Sequence, residues 1–525
     1  MCHNESHSIQ RPNCVIEVEV HRQLRAFLRE QGEPYWLHHL TMARLVARAL
    51  RLGRSALIQT GAASGYHGHY RLSYLMPALI WQEPTLLVVP EALQQRLLMV
   101  EIPRLRQWIN VDKPIRTGDR WEAGFSGLLL TSPQAWLRDR LYGLGHFPDQ
   151  IPTIFDGIDD LESWARSTLT ASLEAADWDK LMLACPEQAD LIRDARVQLT
   201  RSIFQHPANP YDCYLIEPSE QDTLQQLQHH LTAADHPGFL PDPWAKFWQN
   251  FQQADSFVWT EIARRQGQFS LHCGPANVAA ALEPIWARQP IVLIGGALDL
   301  DPEAPIYRQR VGLDDLTCIK FSPDRQNELI QLYLPDGLPF PNTPQYQAAL
   351  LQEVRRLLDA SAASPGLTVI LIGDTPLKSQ VGSILASEIG SRLQVEKTCL
   401  DDNSVLVSGW EFWQQHQTVL PAPRLLIIAT LPLPSLEAPL VAGHVAYYKR
   451  LRQDWFRLYL LPTALGDLQR SIAPVRESQG VVALLDNRVN HRSYGQQVLA
   501  ALSPLARLSY VDRSLFLAAD AALLD

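Results

Sequence analysis

The chain has 525 residues, 46% of them hydrophobic and 19% charged, which excludes a disordered or fibrous polymer and leaves three to four domains' worth of chain at roughly 150 residues each. Its 46 Lys and Arg are outnumbered by 56 Asp and Glu, for a net charge of -10, so a general nucleic-acid coat is excluded and any polyanion must meet a local basic patch. Seven scattered cysteines, with no Cys-x-x-Cys pair, exclude a zinc ribbon and a disulfide framework and suit a reducing compartment.

Residues 1–10 are polar, and no apolar run reaches the roughly 18 residues of a membrane span. The expectation is a soluble cytoplasmic protein without membrane attachment. Residues 35–52 place Met42, Leu45, Val46, Ala49 and Leu50 at helical spacing, with Arg44, Arg48 and Arg51 on another face. Seven arginines against two glutamates lie in 21–54. Such a face is either a solvated helix surface or a phosphate contact. Short apolar runs at 56–58, 85–89, 127–130 and 153–155 then alternate with helical stretches. Residues 160–235 lose the strand pattern, and 236–243 is a Pro/Gly breaker. Strand-like runs return at 291–294, and a second set follows at 368–372, 404–407, 425–429 and 481–485. The predicted class is α/β, with two lobes of mostly parallel sheet. Its predicted parts are an N-terminal basic helical segment (1–54), a first lobe (55–159), a helical insertion (160–255), a return to the first lobe (256–300) and a second lobe (301–525).

The run at 56–58 leads into a loop with Gly61, Gly65 and Gly68 and then into a helix. Backbone N–H groups in such a loop can cradle phosphate, although a turn-rich loop without a ligand looks the same. With Gln59 ahead of it and Leu72-Ser73-Tyr74-Leu75-Met76-Pro77 behind it, the loop resembles the nucleotide-binding loop of the DinG/XPD-like superfamily 2 helicases. Further blocks resemble that family in the same order. Gly127 to Leu137 resembles the strand before the acidic box, and Asp156-Gly157-Ile158-Asp159 stands at the Asp-Glu-Ala-His box itself. Ile291 to Leu298 resembles the coupling motif, and Phe412-Trp413 with Leu431-Pro432 the family's aromatic block. Tyr459 to Ala464, Gln469, Arg476 and Leu484 to Arg488 resemble the last motif.

The resemblance implies two RecA-like lobes of the P-loop NTPase type, an arch-like insertion, ATP and Mg²⁺, single-stranded DNA as partner, and a role in DNA repair or replication. Carried over by position, Gln59, Gly61, Gly65 and Gly68 would hold nucleotide, and Asp156 would hold Mg²⁺. Gln469 and Arg476 would act in hydrolysis. Arg44, Arg48, Arg51 and Trp413 are the nucleic-acid candidates, Trp413 as a ring on which a base stacks.

Several positions depart from the family. The loop lysine is absent, its slot falling on Tyr66 or on Tyr70 according to which flank is counted. Gly157 replaces the water-activating glutamate and Asp159 the histidine, while Ile472 and Ala473 replace the Gly-Arg that carries the finger arginine. A finger alone is worth about 10³ to 10⁵ in rate. Residues 62–155 contain no cysteine, so the family's four-thiolate iron–sulfur cluster cannot be built there. The expectation is therefore a helicase homologue with lost or strongly impaired ATP hydrolysis that keeps a nucleic-acid role. The alternative is an inactive helicase-fold scaffold for a protein partner. His67 and His69, the Cys2/His3/His7 group and His272-Cys273 read as loop, terminal and core residues rather than metal or nucleophile sites.

Overall fold

The computed structural model describes residues 15–32, 34–232, 240–362, 365–513 and 515–516. Cys2, His3 and His7 lie outside them, as does the whole 1–14 stretch of the basic segment. The chain divides into two compact units, one made of 1–161, 281–304 and 313–324, the other of 162–280, 305–312 and 325–525.

The first unit holds a seven-stranded parallel sheet in the order Thr317–Lys320, Ala56–Gln59, Ile291–Gly295, Thr153–Asp156, Thr85–Val88, Leu128–Thr131 and Ile115–Thr117. Its central strands are buried on both faces, which is why they read as unbroken apolar runs. Each fully buried Leu or Ile there contributes about 1.5–3 kcal/mol. The helices Ile16–Gln31 and His39–Leu52 pack through Val20, Leu24, Phe27, Met42 and Val46 onto Tyr74 and Leu75. The N-terminal helices thus belong to the core of this unit and are not a separate segment.

The second unit holds another seven-stranded parallel sheet, in the order Leu393–Val395, Val405–Ser408, Thr368–Leu371, Leu425–Ile428, Val481–Leu484, Ile330–Tyr333 and Leu505–Leu508. These two sheets with flanking helices are RecA-like lobes. The predicted 256–300 return to the first lobe is corrected. Ser256–Ala263 and Gln268–Pro275 form an antiparallel hairpin, flanked by Ala171–Leu173 and Cys213–Leu215 in a four-stranded sheet. The insertion is therefore mixed α/β and runs to 280, and the chain rejoins the first unit at 281. Thr317–Lys320 extends the first sheet by pairing with Ala56–Gln59, so 301 is not the start of the second lobe. Among the described residues no helix is long and apolar enough to cross a membrane.

Candidate functional site

Three adjacent parallel strands, Ala56–Gln59, Ile291–Gly295 and Thr153–Asp156, end at one edge of the first sheet. Loops at the carboxyl ends of such strands are where α/β folds place ligands. Gln59 ends the first strand, and its amide donates to the carbonyls of Asp301 (3.0 Å) and Pro302 (3.3 Å) and accepts from Asp299 N–H (3.1 Å). The side chain pins a neighbouring turn. Gly61 then reverses the chain with φ +87°, and Ala62–His67 winds into a six-residue helix. Gly65 passes close to Gly296, since a Cβ on it would lie 3.7 Å from that Cα. Gly68 closes the helix at φ +67°, and a Cβ there would fall 2.1 Å from the Arg71 guanidinium carbon. A side chain there would be strained by the angle and would have to displace the Arg71 guanidinium.

The two lysine slots have different surroundings. Tyr66 lies half-buried with its ring on His67, whose ring stacks on His69. Tyr70 is buried, and its phenol donates to Asp156 Oδ1 at 2.5 Å. Tyr74, one helical turn on, donates to Asp156 Oδ2 at 2.8 Å. Residues four apart share a helix face, so the pair grips both oxygens. Arg71 completes the cluster, its Nε 4.0 Å from Asp156 and its Nη1 3.9 Å from Glu101. Burial pushes the Asp156 pKa up, and Arg71 with the two tyrosine hydrogen bonds opposes that rise. Burial, then the nearby carboxylate, holds both phenols well above their ordinary range, so they stay protonated donors.

Asp159 accepts from the N–H groups of Gly296 (2.8 Å) and Ala297 (2.7 Å). It thereby ties the degenerate acidic box to the end of the Ile291–Gly295 strand. The roles of Arg71, Tyr74 and Asp159 were not legible as motif residues. The Tyr70-x-x-x-Tyr74 spacing was the available signal, because it puts two phenols on one helix face beside the box.

The other candidates are dispersed. Arg44 and Arg48 are exposed on the helix His39–Leu52. Arg51 instead forks onto Glu17, with Nε at 3.0 Å from both oxygens and Nη2 at 2.6 Å from one. In the second unit, Gln469 is half-buried on the helix Leu461–Ser471. Arg476 is buried, and its guanidinium donates to the carbonyls of Glu328, Leu502, Ser503 and Pro504. Both terminal nitrogens of that guanidinium are thus engaged by main chain, at a residue whose motif position predicts a part in hydrolysis. Trp413 is also corrected. It is 0% exposed, and its Nε1 donates to Ser471 O at 2.9 Å, so it offers no ring to a base. Cys273 is buried, which pushes its thiol up to about 12, in line with a core residue. Among the described residues no three His, Cys, Asp or Glu gather in a group that could hold a metal ion.

No family model matches the chain. It is 27% identical over 262 residues to the ATP-dependent DNA helicase YoaA of Haemophilus influenzae, covering 46% of this chain and 40% of that protein. To YoaA of Escherichia coli it is 23% identical over 269 residues, covering 49% and 42%. The chain thus spans about two-fifths of the length of these curated relatives. Among solved structures, an XPD helicase matches with TM-score 0.58 at 11% identity, over 90% of this chain and 100% of that one. S. tokodaii Xpd4 matches with TM-score 0.57 at 12% identity, over 90% and 100%. At that identity the structural likeness shows the fold. Sequence and fold agree on a resemblance to the DinG/XPD-like superfamily 2 helicases.

Proposed function

We propose that this chain is a helicase-fold protein that binds single-stranded DNA without coupling it to ATP turnover. The observation that carries this reading is the closed cluster around Asp156. A Mg²⁺ ion at that carboxylate would have to displace two phenolic donors and sit beside the Arg71 guanidinium, a buried cation already near it. Hard oxygen ligands, not a guanidinium, suit that ion. These residues do not fit ATP-bound magnesium. Steady-state ATP hydrolysis should stay at background with and without single-stranded DNA. Tyr70→Lys alone should not rescue it, because Gly157 still lacks a carboxylate for water. Robust DNA-stimulated turnover that Asp156→Ala abolishes would sink the reading.

DNA binding draws its support from the relatives named as DNA helicases and from the exposed Arg44 and Arg48 of an otherwise acidic chain. Arg51, neutralised by Glu17, is expected to add little. Each phosphate contact on a single strand is worth about 0.7 in the slope of log affinity against log salt. The Arg44→Gln/Arg48→Gln pair should therefore flatten that slope by about 1.4, with folding intact. An unchanged slope would leave this helix a solvated face. Absence of binding even at low salt would favour the protein-partner scaffold.

A further inference from the structure

We infer that the second unit carries a pocket for one unstacked base of a single-stranded nucleic acid, with a basic rim for the flanking phosphates. The inference rests on the nucleic-acid reading above but uses different residues. A cavity of about 320 Å³ lies where the hairpin of the insertion meets the helix Pro439–Arg450. That is within the range of sites that enclose small ligands, at its lower end. Phe251, Phe257 and Tyr447 supply aromatic walls, and Asp255 and Ser256 supply polar groups. The Ser256 hydroxyl oxygen is buried without a hydrogen-bond partner, which a base edge would provide. Gly443 sets the depth, since a Cβ there would come within 2.8 Å of the Phe257 ring.

Arg450 is the cation among the wall residues, and the segment that follows from it has the opposite character from the chain as a whole. Lys449, Arg450, Arg452 and Arg457 are exposed within nine residues, against Asp454 alone. Arg450 lines the cavity and lies over the Tyr447 ring, 5.5 Å from its centre. Lys449 lies 5.5 Å from the Trp455 ring centre. Cations at a helix C-terminus are ordinary. Here they interleave with rings beside a cavity of base size, the combination by which proteins hold single strands.

The test compares a short single-stranded oligonucleotide with an abasic one of equal length, by fluorescence anisotropy at low salt. The unmodified protein should bind the base-bearing strand roughly ten-fold tighter, the scale of one base stacked on an aromatic ring. Ala446 is exposed and lines the cavity, so Ala446→Trp should fill the mouth and erase that preference while the salt slope stays. Lys449→Gln/Arg450→Gln/Arg452→Gln should flatten the slope by about two units. Equal affinity of the unmodified protein for both strands, or a preference that survives Ala446→Trp, overturns the pocket while leaving DNA binding intact. No binding to either strand overturns the nucleic-acid reading and the pocket together. Adenosine monophosphate binding with no strand binding also overturns it, in favour of a free-nucleotide site.

Discussion

Arg476→Ala is expected to destabilise the second unit by about 2–3 kcal/mol, because it leaves one buried and three half-buried carbonyls without their cationic donor. Nη1 reaches Glu328 O at 2.7 Å and Pro504 O at 3.2 Å, and Nη2 reaches Leu502 O at 2.7 Å and Ser503 O at 3.0 Å. Those carbonyls precede Ile330–Tyr333 and Leu505–Leu508, which pair in parallel at the sheet's edge. Burial holds the guanidinium down to about 10, so it remains charged at neutral pH and is a full clamp between the two strands. Hydrogen exchange should therefore rise first in 330–333 and 505–508, with a lowered denaturation midpoint. Arg476→Lys, with one ammonium in place of a planar fork, should recover only part of the loss. A part in hydrolysis makes a different forecast: both variants would keep wild-type protection and stability. Unchanged exchange at that edge would remove the clamp and reopen the hydrolysis reading.

The same residue shows where sequence stops informing on structure. Arg476 matched a motif position, but Pro474 and the buried Ile472 and Ala473 turn its short helix, Ala473–Glu477, into the core. Trp413 failed for the same reason: on the helix Trp410–His416 it is the residue turned fully inward. A one-dimensional match reports which residue is present, whereas its use depends on which way the local helix faces.

The parallel strands were readable because both faces are buried and the runs are continuously apolar. The insertion's hairpin was not, because Ser256–Ala263 mixes buried Val258, Trp259, Thr260 and Ile262 with exposed Glu261 and Ala263. Its turn left a trace in Gln266-Gly267, where Gly267 takes φ +64°. The flanking strands Ala171–Leu173 and Cys213–Leu215 have three residues each, too few to show a period. At the candidate site, the strand–loop–helix and Asp156 were legible. The closure of that carboxylate by Tyr70, Tyr74 and Arg71 was not, because it depends on side-chain direction across two segments 82 to 86 residues apart in sequence.

The second unit should also lose stability steeply on mild acidification, and His444 should account for most of the loss. Its ring is buried in the helix Pro439–Arg450, with Nδ1 3.1 Å from Ala276 O. Phe257 and Tyr459 pack against the ring at 5.3 and 5.1 Å between centres. Burial pushes its pKa from 6.5 down to about 3; Arg166 and Arg310 add to the depression, while Glu162 and the Ala276 carbonyl oppose it. The unfolded chain therefore takes up a proton near pH 6.5 that the folded one refuses until about pH 3. Stability is complete above the unfolded value and falls as pH drops through that window, at about 1.4 kcal/mol per unit and on the order of 5 kcal/mol in total. Glu162 adds a further loss at lower pH. Burial works to raise its pKa, but ion pairs with Arg310 and Arg166, each at 2.5 Å, bring it from 4.5 to about 2. Its contribution is present above 4.5 and disappears toward 2, so between pH 6.5 and 4.5 the slope belongs chiefly to His444, with His272, whose pKa burial also lowers, adding in the same direction. His444→Gln keeps an N–H donor for Ala276 and has no proton to gain. Denaturant unfolding measured from pH 7.5 to 4.5 should show the wild-type free energy falling by roughly 2–3 kcal/mol, with the variant markedly flatter. Parallel curves for the two proteins would mean that the ring titrates normally in the folded state and that the buried, neutral His444 is wrong.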